Sequence, residues 1–359
     1  MVIGVTGYGY TGASACMDLL KEFKDMQFYD PHIEFQLLQQ PDGVADLRYA
    51  LINNRGRITV NTAIKRFIRR YNYKRSDLLS ARTGGKYVRF SKEYIDSLIT
   101  VSWEGKSKYD PEDLLTAIDS PKLRLFNGAA KRASKLVNKN SVWPPFKTRY
   151  YSSVTEEELI SRTRDYLNKI FRASGFDLKK PIMLEQLFRL ENPTEGGDYF
   201  DESRAIIVDR DPRDVFVLTN KAYPRMSAGF MPNDGSVETF VKYYRSLHSS
   251  IVDDPSVYYL RYEDLIYRYD ETVSKIKSFV GLEHASPKSR FKPEWSINNT
   301  QVFKKYPELS DKIKYIEANL SEYLYPFDEA SESISFVPED VGIFDNVPGD
   351  KIIEASKAK

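Results

Sequence analysis

The opening of the chain constrains it most. Residues 2–6, Val2-Ile3-Gly4-Val5-Thr6, form a short apolar, β-branched run that stops at a glycine-rich turn, Gly7-Tyr8-Gly9-Tyr10-Thr11-Gly12, and continues into Ala13-Ser14-Ala15-Cys16. Cys16, Leu19, Leu20 and Phe23 then recur at i, i+3, i+4 and i+7, which is one face of a helix. The order is strand, glycine loop, helix. Such a turn brings backbone N–H groups and the positive end of the helix dipole to one point, where an anionic group binds without a side-chain cation.

Apolar runs of strand length recur at residues 35–38, 182–184, 205–208 and 257–260, and helical patterns separate most of them: Ile64/Phe67/Ile68/Tyr71, Thr163/Tyr166/Leu167/Ile170, Phe240/Val241/Tyr244/Leu247 and Val273/Ile276/Val280. Thr155 three residues before Glu158 predicts a capping box, and Gly281 predicts a C-cap. Short buried strands alternating with helices predict an α/β fold with a central parallel sheet covered on both faces. Residues 44–180 carry few strand signals and many helical ones, so they read as a large, mostly helical insertion within a domain spanning 1–330. Residues 331–359, with Pro338 and Pro348, read as a C-terminal tail that wraps the surface or lacks order.

With 359 residues, 41% apolar and 29% charged, the chain has a globular composition. One cysteine, Cys16, excludes an intrachain disulfide, and with only three scattered histidines (His32, His248, His284) no metal site is expected. The absence of a leader-like start and of an apolar run of membrane-spanning length predicts a cytoplasmic protein with no membrane span. Fifty-three bases against 51 acids leave a net charge of +2, so no bulk attraction to nucleic acid follows, and none is expected as a partner. Charge is nonetheless uneven. Residues 55–92 carry twelve bases against the single acid Asp77, and residues 120–155 carry eight bases and no acid. These stretches are either solvated helix faces balanced by acids elsewhere or a surface for an anionic substrate or cofactor.

The first loop is similar to a P-loop, but it is not a Walker A motif: Tyr10 stands where a cation would precede Thr11, and no Lys precedes Ser14. That argues against ordinary ATP hydrolysis. A Rossmann-type first turn, or a plain tight turn, remains open on these residues alone. A second loop follows the run 205–208: Asp209-Arg210-Asp211-Pro212-Arg213-Asp214-Val215 puts two arginines at a strand's carboxyl end, suited to bidentate phosphate recognition or to ion pairs with the intervening aspartates. A third element is Tyr258-Tyr259-Leu260-Arg261-Tyr262-Glu263-Asp264-Leu265, then a helix ending Phe279-Val280-Gly281-Leu282.

In these three places, in this order, the chain resembles the sulfotransferases that use 3′-phosphoadenosine 5′-phosphosulfate (PAPS). The resemblance spans residues 2–282 and implies a P-loop NTPase-like three-layer fold, PAPS as co-substrate without a metal, and transfer of a sulfuryl group to a hydroxyl or amine of a carbohydrate or small molecule. By that resemblance Gly7, Gly9, Tyr10, Thr11, Gly12, Ala13 and Ser14 cradle the 5′-phosphosulfate. Arg210 binds the 3′-phosphate, with Arg213 and Thr219 beside it. Two positions depart from the pattern: Tyr10 replaces the usual loop Lys or Arg, and Leu218, with Thr219 adjacent, replaces a serine that touches the 3′-phosphate. Without a loop cation, Arg213, Lys180 or Arg132 would have to approach the bridging oxygen.

The acceptor also needs a general base. Glu185, directly after the run 182–184, is the expected one, with His32 in Asp30-Pro31-His32-Ile33-Glu34 as the alternative and Glu34 behind it; His248 reads as structural. Tyr150 and Tyr151, near Trp143-Pro144-Pro145-Phe146, could stack on sugar rings or simply pack. Two further functional classes stay open beside the sulfotransferase: a P-loop nucleotide-dependent phosphotransferase and a non-catalytic binding protein on the same scaffold. Homo-oligomerisation is left open.

Overall fold

The β-branched run at the start forms β1 (Val2–Gly7), and three more runs become strands beside it: β4 (Ile182–Glu185), β5 (Ser203–Asp209) and β6 (Val257–Arg261). In the computed structural model, residues 1–72, 77–105, 147–222 and 231–327 are described, with scattered positions between 125 and 136 and at 224 and 229. The four strands make one parallel sheet in the order β4-β1-β5-β6. Val5 is level with Glu185 on one side and Ile206 on the other, and Asp209 is level with Arg261.

One face of the sheet is read off that register. Ile3, Val5, Met183, Ile206, Val208 and Leu260 are buried in one cluster with Cys16, Leu19 and Leu20 of α1 (Ala13–Leu20), the helix face anticipated from sequence. On the other face Gly4 is required by close approach: a β-carbon there would lie 2.5 Å from the Phe188 ring. The chain divides into two compact units. The first, Met1–Gln36 with Leu178–Lys359, contains the whole four-stranded sheet.

The second unit is Leu37–Asp177. Its described residues are mainly helical, with α2 (Arg57–Tyr71), α3 (Tyr87–Leu98) and α4 (Glu156–Ala173), and they also hold a two-stranded antiparallel sheet, β2 (Val101–Gly105) with β3 (Lys147–Tyr151), that the sequence did not signal. Thr155 and Glu158 make the anticipated capping box on α4. Stacked Tyr94 and Tyr166, with Tyr94 donating or accepting at Thr163 (2.8 Å), join α3 to α4. The run at residues 35–38 is not a strand. Phe35 N donates to Glu185 O (2.8 Å), after which the Leu37 and Leu38 carbonyls accept from Val44 and Ala45 instead of from a sheet neighbour. Its apolarity reflects burial, not a ladder. The proposed tail at 331–359 lies outside the described residues.

Candidate functional site

In the strand order, β1 connects toward β4 on one side and β5 connects toward β6 on the other. The crevice at the carboxyl ends of β1 and β5 is therefore a topological switch point, the place where open α/β sheets bind ligands. The glycine loop leaves β1 there and Arg210 leaves β5 there. Glu185 ends β4 one strand away.

The loop takes a shape that its sequence makes possible. Gly9 (φ 89°), Tyr10 (φ 56°) and Gly12 (φ 95°) are all left-handed, a conformation natural for glycine and uncommon for tyrosine. Thr11 is buried, donates its hydroxyl to Val208 O (2.6 Å) and accepts from Tyr8 N (3.0 Å), so it ties the loop to β5 and does not present its side chain to a ligand. A β-carbon at Gly7 would lie 2.5 Å from that hydroxyl. No side chain caps α1, whose first hydrogen bond runs from Cys16 N to Gly12 O. The amides of Ala13 and Ser14 precede it, and Ser14 is exposed.

Arg210 is 4% exposed. Its guanidinium donates to Tyr10 O (3.1 Å) and Asn299 O, pairs with Asp214 (3.5 Å) and lies over the Tyr262 ring (4.8 Å). It thus joins the glycine loop to residues 297–303. Burial pushes the Asp214 carboxyl up to about 6 against the opposing charge of Arg210. Among the described residues, Arg210 Nε and both side-chain polar atoms of buried Asn298 have no hydrogen-bond partner. Leaving buried polar groups unpaired is costly, and an incoming polar ligand would satisfy them. Asn298 carried no sequence signal beyond being an amide in an Asn-Asn-Thr run.

Arg213 and Thr219 are used elsewhere. Arg213 grips Asp211 with Nε and Nη2 (2.9 and 2.7 Å), reaches Glu317 with Nη1 (2.9 Å) and stacks on Phe303 (4.3 Å). Thr219 is fully buried and donates to Val215 O (2.8 Å) and Phe216 O (3.1 Å). Lys180 pairs with Asp25 (3.0 Å), and Arg132 is exposed.

The two candidate bases meet: His32 Nε2 contacts Glu185 Oε2. Glu185 is the more buried of the pair, at 8% against 28% for the His32 side chain. The Glu34 backbone pairs with that of Glu185 in a single parallel β-bridge, and burial followed by the Glu185 charge raises the Glu34 pKa. Asp18 on α1 is raised by burial against the pull of Lys21 (2.6 Å). This geometry fits a histidine oriented by a buried carboxylate.

Several bases of the second unit are locally matched: Arg66 with Asp42, Arg89 with Glu93, Lys92 with Asp96 and Lys169 with Glu93. Tyr150 and Tyr151 are half-buried on β3. Lys74, Arg75, Trp143 and Phe146 lie outside the described residues. Among the described residues there is no group of three or more His, Cys, Asp or Glu placed to hold a metal ion, and no helix is long and apolar enough to cross a membrane.

No family model matches the chain, and no curated protein matches it. Among solved structures it is similar to a sulfotransferase from Mycobacterium avium, at 11% identity and a TM-score of 0.33, over 91% of this chain and 76% of that one. A likeness of that size bears no weight for function.

Proposed function

We propose that this chain is a sulfotransferase that moves a sulfuryl group from PAPS to a hydroxyl or amine of a carbohydrate or small molecule. On this reading its sheet is the core of a P-loop-type three-layer domain over 1–330, with the insertion at 44–180. The observation that carries the reading is the convergence at one sheet edge. A left-handed glycine loop before an uncapped helix and a buried arginine beside unpaired polar atoms flank the β1–β5 crevice, and a His–Glu pair stands at the neighbouring strand end. The donor fits that frame in kind: amides at the start of α1 suit the phosphosulfate, while Arg210 Nε and Asn298 suit a second anionic group.

With Nε2–H directed at Glu185, the His32 lone pair falls on Nδ1, which accepts the acceptor's proton. The acceptor oxygen or nitrogen then forms its bond to sulfur as the bond from sulfur to the bridging phosphate oxygen breaks. That electron pair leaves with adenosine 3′,5′-bisphosphate. Positioning and charge neutralisation dominate such transfers.

The test is a thermal-shift titration with adenosine 3′,5′-bisphosphate beside AMP and ATP–Mg, on wild type, Arg210→Ala and Arg210→Lys. At ~100 times Kd a ligand specific to the native state stabilises it by ~2.7 kcal/mol. The expected result is a response to the bisphosphate that both variants lose. Glu185→Gln should keep that response and lose about 10²- to 10⁴-fold in kcat with a turned-over acceptor. Preference for ATP–Mg would overturn the reading in favour of a phosphotransferase. A non-catalytic protein is favoured by one observation, that Arg210 already donates to Tyr10 O and Asn299 O; silence toward every nucleotide would select it.

A further inference from the structure

His248 follows α6 (Val237–Leu247; α5 is Pro212–Val217) as its C-cap and takes no part in the chemistry above. It is buried, and its imidazole lies between two tyrosine rings: Tyr8 of the glycine loop at 4.1 Å and 15°, and Tyr244 of α6 at 4.0 Å and 16°. Nδ1 is 2.8 Å from Tyr244 O, and Nε2 is 3.1 Å from Asp209 Oδ1. Tyr244 O can only accept. Asp209 also behaves as an acceptor: burial opposes its charge, but the His248 hydrogen bond and the Arg261 charge hold its carboxyl below the usual range.

A neutral imidazole has one N–H, so it satisfies one of these oxygens and points a lone pair at the other. Asp209 Oδ1 also accepts from the Tyr244 hydroxyl (3.0 Å), so the ring, α6 and the end of β5 are tied at one point. Arg261 donates to Asp209 Oδ2 (3.2 Å) and is raised despite burial by Glu263 and Asp209, and burial raises the Tyr8 and Tyr244 hydroxyls. Tyr323 completes the surround at 5.1 Å.

We propose that His248 is a positioning residue for the glycine loop: stacked between Tyr8 and Tyr244 and hydrogen-bonded to Asp209, the residue before Arg210, it couples the loop to the end of β5, and loss of its ring nitrogens loosens the loop. The coupling itself is independent of what the loop binds; its meaning for donor affinity rests on the reading of the loop as the donor site.

Hydrogen exchange on the full chain tests it without ligand. His248→Phe keeps an aromatic ring and deletes both donors. It should speed exchange of residues 7–14 by about tenfold, the equilibrium worth of roughly one hydrogen bond, while residues 182–185 keep their protection. His248→Gln, which keeps a hydrogen-bonding group toward Asp209, should recover part of that protection. If His248→Phe fails to fold, Tyr8→Leu, which deletes the loop's side of the stack, decides by the same readout: residues 9–14 should exchange faster than in wild type. A folded variant with unchanged loop exchange overturns the proposal. Loop loosening in a protein that binds no adenosine bisphosphate would uphold the coupling and overturn the donor reading, which keeps the two separable.

Discussion

Gly12→Ala tests the loop at its tightest point. Gly12 sits at φ +95°, and a β-carbon added there would lie 2.3 Å from Cδ2 and 2.9 Å from Cγ of Tyr262. That ring has little room to swing: it is 3% exposed, its hydroxyl donates to Ser296 O (3.1 Å), and the Arg210 guanidinium lies 4.8 Å from its centroid. A left-handed non-glycine residue costs roughly 1–2 kcal/mol, and forcing a methyl into a filled site costs roughly 1–3 kcal/mol. Restriction of the unfolded chain returns about 0.4–1 kcal/mol. The net expectation is a loss of about 1–4.6 kcal/mol, read as ΔΔG in urea unfolding at constant m. Because one share is the ring clash, Gly12→Ala combined with Tyr262→Leu should cost less than the sum of the two single changes by about 1–2 kcal/mol. A Gly12→Ala protein within about 0.5 kcal/mol of wild type, the range of an ordinary surface substitution, would refute the placement of the loop against Tyr262.

Three further outcomes follow from buried groups. Thr11→Val leaves Val208 O and Tyr8 N without their hydroxyl and should cost about 2–3 kcal/mol in denaturant unfolding, whereas Thr11→Ser should recover most of it; equal losses would show the hydroxyl is idle. Glu263, raised by burial from 4.5 to about 7, binds its proton more tightly folded than unfolded. Wild-type stability should therefore decline as pH rises from about 4.5 through about 7, and Glu263→Gln should flatten that decline; parallel pH profiles would contradict it. Glu22 is fully buried and accepts from His284 Nε2 (2.7 Å) and from the amides of Lys288, Arg290 and Phe291. Glu22→Gln turns an N–H donor toward donors, so unfolding free energy should fall by about 2–3 kcal/mol, and limited proteolysis near residues 284–291 should accelerate; no change in either would remove Glu22 as the anchor of that segment.

What could be read from sequence was what periodicity and turn chemistry encode locally. The run ending at Gly7, the face Cys16/Leu19/Leu20, the Thr155–Glu158 box and the Gly281 cap each concern neighbours within four residues, and each is present. The failure at residues 35–38 has the same root, since an apolar run reports burial and only the partner's position decides whether a ladder forms. The site follows this division. Glu185 and His32 were separate candidates because 153 positions divide them (185 minus 32), and the β4 edge is what brings imidazole to carboxylate. The Asp-Arg-Asp-Pro-Arg segment made Arg210 and Arg213 look equivalent. What separates them is distant in the chain: Glu317 and Phe303 absorb Arg213, while Tyr10 and Asn299 leave Arg210 with a buried nitrogen unpaired. His248 is the clearest instance. Its helical spacing alone marks it as packing, yet its two tyrosine neighbours and its acceptor on Asp209 make it a contact through which a helix distant in sequence can set the conformation of the first loop.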